Sequence, residues 1–226
     1  MIVAAVATMP SRVSSLTRTV GSILPQVDQL CVYLNGHTEL PDCLKHPKIT
    51  VAWGKDLGAA GKFFFTDRFK DGCYLTIDDD IWYPSDYTTR MSTRAMGSNA
   101  VICVYSRTFM MSNPTQYFED STETILEDAL YEDRQAHVPG TGTAAFDLSY
   151  FSPKVEDIIE HNSADLMLGL VCNQRNVPVI AIARSQKWLI SIAEAGDSIW
   201  NRRYEYAPRR SELLKGITWK LPLNHF

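Results

Sequence analysis

The sequence predicts an α/β protein, a single domain with a mostly parallel central sheet flanked by helices. Short apolar runs of strand length alternate with helix-length segments through the first half of the chain, which is the pattern of a sheet covered by helices on both faces. Hydrophobic residues make up 45% of the chain and charged residues 21%, ordinary values for a folded protein. A chain of 226 residues can bury roughly 70% of its unfolded surface, so it needs neither a disulfide nor a metal to fold. No repeat or linker divides the chain, and we expect one domain over residues 1–226.

The first three strands are predicted from short apolar runs. Residues 2–7 form a continuous apolar run, which is typical of a strand buried on both faces. A helix follows, with Ser11 as its predicted N-cap and Pro25 at its end. Residues 30–34 predict the second strand, which an Asn-Gly turn ends, and residues 49–53 predict the third.

The next elements lead into an acidic triplet. Residues 59–69 are rich in aromatic side chains and predict a helix. Residues 73–77 predict a buried fourth strand, and three consecutive aspartates follow it at 78–80. A helix over 85–96 and a fifth strand over 101–105 complete the regular part of the chain.

The second half of the chain is less regular. An acidic stretch suggests an amphipathic helix over residues 122–131. A glycine-containing loop at 140–143 leads into an apolar strand, and residues 165–173 predict a helix. Residues 177–183 predict one more strand, and beyond Trp188 the pattern weakens.

Charge and cysteine content exclude several classes of protein. The 22 basic and 26 acidic residues give a net charge of −4, which argues against a broad surface for nucleic acid. The five cysteines are widely spaced with no CxxC pair, which favours reduced thiols over a disulfide framework or a zinc site. The amino terminus reads as a strand rather than a signal peptide, and no apolar run reaches the roughly 20 residues of a membrane helix. We therefore expect a soluble, cytoplasmic protein without a transmembrane segment.

The acidic triplet is the strongest indication of chemistry in the sequence. Three adjacent carboxylates repel one another, and a bound cation would relieve that repulsion. Strand alternation predicts that Asp78 and Asp80 project to one side and Asp79 to the other. Carboxylates at the carboxyl edge of a parallel sheet suit Mn²⁺ or Mg²⁺, and this is the edge where open α/β sheets bind ligands. A simple turn or helix start is the alternative, but the preceding buried strand favours the metal.

The segment YLTIDDDIWYPSDY, residues 74–87, resembles the Asp-x-Asp segment of glycosyltransferases of the GT-A fold. The resemblance covers about residues 1–190. It implies a GT-A-like (Rossmann-like) domain with a nucleotide-binding half over 1–105, an acceptor-side half over 106–190 and a tail or lid over 191–226. It also implies Mn²⁺ (or Mg²⁺) as cofactor, a UDP-sugar donor and a glycan or glycoprotein acceptor. The activity would be that of a hexosyl- or deoxyhexosyltransferase.

The resemblance carries over to individual residues of the donor site. The loop after the first strand would hold the nucleobase and ribose, and Arg12 could also reach a phosphate. Asp80 would be the principal metal ligand, while Asp78 would contact the metal or the ribose. The residues expected to contact the donor are Thr8, Pro10, Arg12, Asn35, Asp56, Lys62, Asp78 and Asp79. A solvated Arg12 and a purely turn-forming Asn35 remain the alternatives for those two residues.

The same resemblance makes Asp165 the candidate catalytic base. It opens the predicted helix over 165–173, where the helix dipole favours a carboxylate. The family more often has an acidic pair there, whereas this chain has Ala164 and Asp165, and helix capping is the alternative role. Residues 140–145 resemble the segment beneath the donor sugar. A basic, aromatic tail could close over the diphosphate, and two histidines could add metal ligands: Lys187, Trp188, Arg202, Arg203, Arg209 and Arg210 for the tail, His161 and His225 for the metal.

Two other functions remain open. A sugar nucleotidyltransferase uses a similar sheet, but such enzymes open with a glycine-rich loop that ATMPSRVSS, residues 7–15, lacks. A non-catalytic module that binds a sugar nucleotide or glycan is the other possibility. The phosphate-binding motif GxxxxGK[ST] is absent, which disfavours ATP hydrolysis.

Overall fold

The computed structural model describes residues 1–160, 162–193 and 204–220. Its strands are β1 Ile2–Thr8, β2 Gln29–Asn35, β3 Ile49–Gly54, β4 Cys73–Ile77, β5 Ile81–Trp82, β6 Val101–Cys103, β7 Ser106–Phe109, β8 Ser121–Thr124, β9 Arg134–Ala136, β10 Val138–Pro139, β11 Ala145–Asp147, β12 Val179–Ala181 and β13 Ile190–Ser191. Its α-helices are α1 Val13–Ile23, α2 Tyr87–Ala95, α3 Val155–Ile158, α4 Ala164–Gln174 and α5 Ala207–Leu213.

A central sheet of eight strands has the order β3-β2-β1-β4-β11-β6-β12-β9. The strands β1 to β4 pair parallel with one another, and β6 and β12 are parallel to each other. The exceptions are β11 and β9, which pair antiparallel with their neighbours. The predicted α/β class with a mostly parallel sheet is thereby confirmed.

Both faces of the central sheet are covered by apolar clusters. Successive side chains of a strand point to opposite faces, so one strand contributes to both clusters. In β1, Val3 and Ala5 belong to the apolar cluster shared with α4 residues such as Leu168. Ala4 and Val6 belong to the cluster on the other face, which includes residues of α1 and α2. This burial explains why β1 is a continuous apolar run.

The predicted helix over residues 59–69 is wrong. The chain instead forms two 3₁₀-helices, Gly58–Phe63 and Thr66–Arg68. The first of them packs closely on β2, since a Cβ on Gly61 would lie 2.7 Å from the ring of Tyr33. Asn35 also holds its start, because its side chain bonds to the backbone of residues 57 and 58. These fixed contacts favour short, tight turns over a regular α-helix.

The predicted amphipathic helix over residues 122–131 is also wrong. Its first part is the strand β8, which pairs antiparallel with β7, and the rest is turns and irregular backbone. Arg107 of β7 binds both Glu123 and Ser121 across this pair. Glu123 therefore lies on a strand whose neighbour carries its basic partner, a pairing that helical spacing could not reveal.

The remaining local predictions are confirmed with small shifts in their ends. One exception is Ser11, because α1 begins at Val13 after a 3₁₀-turn at Pro10–Arg12 and Arg12 occupies the N-cap position. The five cysteines are free thiols, and burial raises the pKa of Cys31 to about 12. Within the described ranges, no helix is long and apolar enough to cross a membrane.

Candidate functional site

The candidate site lies where the direction of the chain through the sheet changes. From β1 the chain proceeds outward to β2 and β3, and it then returns to place β4 on the other side of β1. Loops that follow such neighbouring strands diverge and leave a crevice at their carboxyl ends, which is where open α/β sheets bind ligands. The segment after β1 carries Arg12, and the segment after β4 carries Asp78, Asp79 and Asp80.

Arg12 joins these two segments. Its Nη1 donates to Oδ1 of Asp79 at 2.8 Å and to Oδ2 of Asp80 at 3.1 Å. The 3₁₀-turn at Pro10–Arg12 follows β1, and its guanidinium contacts carboxylates that follow β4. Arg12 is therefore bound to two carboxylates and is not merely solvated.

Lys62 is the second cation of the site. Its side chain is only 2% exposed and forms an ion pair with Oδ1 of Asp78. Its ammonium also donates to the carbonyl of Thr141 at 3.3 Å. The backbone of Lys62 is held in turn by the hydroxyl of Tyr74, which donates to its carbonyl at 2.6 Å. A buried ammonium that has carboxylate and carbonyl partners keeps a fixed position.

The three aspartates do not alternate as a strand would require. The strand β4 ends at Ile77, and the triplet forms a turn. Asp79 and Asp80 consequently share Arg12, whereas Asp78 faces Lys62. The prediction that Asp78 and Asp80 project to one side and Asp79 to the other is therefore wrong. It assumed a strand that continues through residue 80, whereas β4 ends at Ile77.

Burial and mutual repulsion raise the pKa values of two of these carboxyl groups. Burial raises the pKa of Asp80 to about 6, the charges of Asp78 and Asp79 add to the shift, and Arg12 and Lys62 oppose it. Burial also raises the pKa of Asp79, against the attraction of Arg12. Two cations thus face three carboxylates, and the triplet keeps an excess of negative charge.

Two tyrosines that sequence reasoning missed tie Asp78 to the turn at residues 140–143. The hydroxyl of Tyr105 donates to Oδ2 of Asp78 at 3.3 Å and accepts the amide of Gly142 at 2.9 Å. The hydroxyl of Tyr83 donates to the carbonyl of Gly142 at 2.6 Å and accepts the amide of Asp78 at 2.9 Å. A Cβ on Gly142 would overlap the Asp78 carboxylate, and one on Gly140 would overlap the Tyr105 ring. These glycines therefore make room for the protein's own side chains. The two glycines of this turn were the feature of the sequence that could have indicated a close contact here.

His37 is a third residue that the sequence prediction missed. It follows β2. A hydrogen bond between its ring and the backbone of Met9 and the charge of Asp79 both raise its pKa. Burial lowers the pKa of His37 despite these two contributions. Its position directly after the carboxyl end of a strand was the signal that could have identified it.

Asp165 lies in the first turn of α4, as predicted. Its Oδ1 accepts two hydrogen bonds from Thr141, one from the amide at 2.8 Å and one from the hydroxyl at 2.6 Å. One helical turn later, Gly169 lets α4 approach β10 closely, since a Cβ there would lie 2.8 Å from the carbonyl oxygen of His137. This close packing brings the first turn of α4 to the turn that follows β10.

The other predicted donor contacts are more dispersed. Thr8 is buried at the end of β1, whereas Pro10 is exposed. The Asn35 side chain donates to the carbonyl of Gly58 at 3.1 Å and accepts the amide of Leu57 at 2.9 Å. Asp56 is exposed and accepts the amide of Gly58 at 2.8 Å. Asn35 therefore shapes the crevice from within the protein, and Asp56 lies on its surface.

The predicted lid residues that the structure describes contact residues other than Asp78, Asp79 and Asp80. Trp188 packs on Tyr87 and donates its ring N–H to Asp86 at 3.0 Å. Arg209 pairs with Glu160, and Arg210 donates to the carbonyl of Asn162. Lys187 is exposed and belongs to the same segment as Trp188. Four further predicted residues lie outside the described part of the chain: His161, Arg202, Arg203 and His225.

The donor set of the triplet fits a hard divalent cation held by few protein ligands. Carboxylate oxygens are the ligands that Mg²⁺ and Mn²⁺ prefer, and Asp78 and Asp80 are both partly accessible. Among residues 1–160, 162–193 and 204–220, no three His, Cys, Asp or Glu side chains form a ready-made metal cluster. The chemistry of Asp78 and Asp80 therefore suits a divalent cation, while the described residues do not form a complete metal site.

Comparison of the chain with models of known protein families found no match, and comparison with curated proteins found none either. The proposed function therefore depends on the geometry of the site.

Proposed function

We propose that this protein is a metal-dependent glycosyltransferase that transfers a sugar from a nucleotide diphosphate sugar, a UDP-sugar in the first instance, to a hydroxyl group of a glycan or glycoprotein. The observation that carries the proposal is the meeting of Arg12 with Asp79 and Asp80 in the crevice between β1 and β4. The turn that reaches Asp78 through Tyr105 also holds Asp165.

The donor would lie along this crevice with its diphosphate near the triplet. Asp78 and Asp80 would hold Mn²⁺ or Mg²⁺, which neutralises charge on the departing diphosphate when bound. Arg12 and Lys62 would balance the charge of the carboxylates, and Arg12, at 15% side-chain exposure, can also reach a phosphate oxygen. Thr8 and Pro10 would border the nucleobase, with Asn35 fixing the loop beside it.

Asp165 would accept the proton of the acceptor hydroxyl. Sugar transfer passes through a cationic state at the anomeric carbon, and a nearby carboxylate assists attack by the incoming oxygen. Asp165 is half-buried, and its Oδ1 is already occupied by two donors from Thr141. A carboxylate that is held in this way loses little freedom when the acceptor binds.

A thermal-shift screen would test donor binding directly. UDP, GDP, CMP and their sugars would be compared with and without Mn²⁺, because a ligand that binds the folded state raises the melting temperature. We expect a UDP-sugar to stabilise the wild-type protein only with the metal, and Asp80→Asn to lose that effect. Asp71→Asn, a change at an exposed aspartate, serves as the matched control and should behave as wild type. Metal-independent stabilisation would contradict the proposal.

Donor turnover distinguishes the competing functions. We expect Mn²⁺-dependent release of UDP from the donor, lost in Asp80→Asn and in Asp165→Asn. Asp165→Asn should still bind the donor, because Asp165 is assigned to the acceptor step. Exchange of pyrophosphate in place of sugar transfer would favour a nucleotidyltransferase. Tight donor binding with no turnover under any acceptor would favour a binding module.

A further inference from the structure

Thr141 uses its amide and its hydroxyl on the same carboxylate oxygen. The amide lies 2.8 Å and the hydroxyl 2.6 Å from Oδ1 of Asp165. A carboxylate oxygen has about two lone-pair positions, so both positions on Oδ1 are occupied. Within the described ranges, Oδ2 of Asp165 accepts no hydrogen bond.

The third polar atom of Thr141 reaches the other half of the site. Its carbonyl accepts from the ammonium of Lys62 at 3.3 Å, and the same ammonium pairs with Asp78. Thr141 is 3% exposed, and the structure therefore holds it inside the protein between the two halves. A surface turn with a capping role would not need such burial.

The turn that carries Thr141 is held on both sides. Tyr105 and Tyr83 bond to the amide and the carbonyl of Gly142, and the hydroxyl of Thr143 accepts the amide of Val104 at 3.1 Å. Because the backbone of the turn is fixed independently, the Thr141 side chain can be changed without removing these bonds.

We propose that Thr141 is a positioning residue that fixes the rotation of Asp165 and assigns the reaction to Oδ2, an inference that rests on the proposed glycosyltransferase activity. With Oδ1 occupied by two donors, the proton of the acceptor hydroxyl passes to Oδ2. The bond between that proton and the acceptor oxygen breaks as the oxygen bonds to the anomeric carbon. The nucleoside diphosphate leaves with the electron pair of the sugar–phosphate bond.

The test compares Thr141→Val with Thr141→Ser. Valine keeps the shape of the side chain and removes the hydroxyl, whereas serine keeps the hydroxyl. Loss of one hydrogen bond to a charged group should lower kcat by about 10- to 100-fold. The KM for the donor and the metal-dependent thermal shift should stay at wild-type values, and Thr141→Ser should recover most of kcat. In an Asp165→Asn background, Thr141→Val should cause no further loss.

Each other outcome overturns the inference. A wild-type kcat in Thr141→Val would show that the hydroxyl does not position the base. A parallel loss of donor binding, or no recovery in Thr141→Ser, would show a general structural role. If wild-type protein neither binds nor turns over the donor, the proposed function itself fails, which the wild-type control reveals separately.

Discussion

Asp80 carries a charge that is costly to keep in the folded protein, because its carboxyl group is largely buried and lies beside two other carboxylates. Burial and the charges of Asp78 and Asp79 raise its pKa from 3.8 to about 6, although Arg12 lies 3.1 Å away. A carboxyl group whose pKa is raised by folding stabilises the folded state when it is protonated. That contribution is complete below its unfolded pKa and is lost as the pH rises through about 6.

We therefore expect Asp80→Asn to stabilise the protein when a chelator keeps it free of metal. At a pH of about 7 the gain should be roughly 1–3 kcal/mol, because the amide removes a buried charge and its repulsion by Asp78 and Asp79. The gain should shrink as the pH falls toward about 4, where wild-type Asp80 is itself protonated. Urea unfolding at a series of pH values measures this difference. A variant that is less stable at neutral pH would mean that the ion pair with Arg12 outweighs the repulsion.

At this scale the sequence could predict charged residues but not their partners. Asp78 and Asp80 stand out because adjacent carboxylates repel one another, and Asp165 stands out through the resemblance to the glycosyltransferases. Tyr105 and Thr141 do not stand out, since a tyrosine after a strand and a threonine between glycines occur in many loops. Their roles depend on two segments meeting in space.

The packing of α4 on β10 determines where Asp165 lies. Gly169 is one helical turn from Asp165, so the two residues share a face of the helix. A Cβ on Gly169 would meet the carbonyl oxygen of His137 at 2.8 Å and the Cα of Val138 at 3.1 Å. Both neighbours are backbone atoms, which cannot move aside as a side chain can.

We expect Gly169→Ala to destabilise the protein by about 1–3 kcal/mol through overpacking, although alanine is the better helix former by about 1 kcal/mol. Gly21→Ala in α1 is the matched control, since nothing lies within 4 Å of its Cβ position. It should stabilise the protein by roughly 0.5–1 kcal/mol. Chemical unfolding of the two variants gives the comparison, and equal gains for both would contradict the close packing of α4.

Element types could be predicted where one physical signal dominates. The segments of β1 and β4 are short, mostly apolar runs that are buried on both faces, and their bounds are nearly as predicted. The two wrong helices lie where tertiary contacts dominate. Residues 58–63 pack on the ring of Tyr33 and bond to the side chain of Asn35, and residues 121–124 pair with the strand β7.

At the scale of the whole molecule, residues 204–220 are part of the packed structure and not a loose tail. Trp219 is 1% exposed and contacts the rings of Phe109 and His137. It belongs to an apolar cluster that includes Leu166 and Leu170 of α4. The carboxyl-terminal region therefore supports the helix that carries Asp165.

We expect Trp219→Ala to lower the free energy of unfolding by about 3–5 kcal/mol, because it leaves a large cavity beneath α4. Trp53→Ala is the matched control, since Trp53 is 47% exposed and its loss should change stability by about 0.5 kcal/mol or less. Denaturant unfolding of both variants without ligand measures the difference. Equal effects would mean that the carboxyl-terminal region does not support the fold.

The topology of the sheet explains why the contacts within the site could not be predicted from the sequence. Arg12 and Asp79 are 67 positions apart, and Lys62 and Thr141 are 79 apart. These pairs meet because β4 lies beside β1 and β11 lies beside β4 in the strand order. The α/β class and the edge of the sheet could be predicted, whereas the neighbours across that edge could not.

The burial of Lys62 makes its amine a chemical reporter. An acylating reagent applied to the native protein should modify Lys45, whose side chain is 62% exposed, and spare Lys62, which is 2% exposed. Unfolding would open Lys62 to the same reagent. Mass spectrometry of the peptide that contains it would then count the molecules with an intact crevice, before any substrate has been identified.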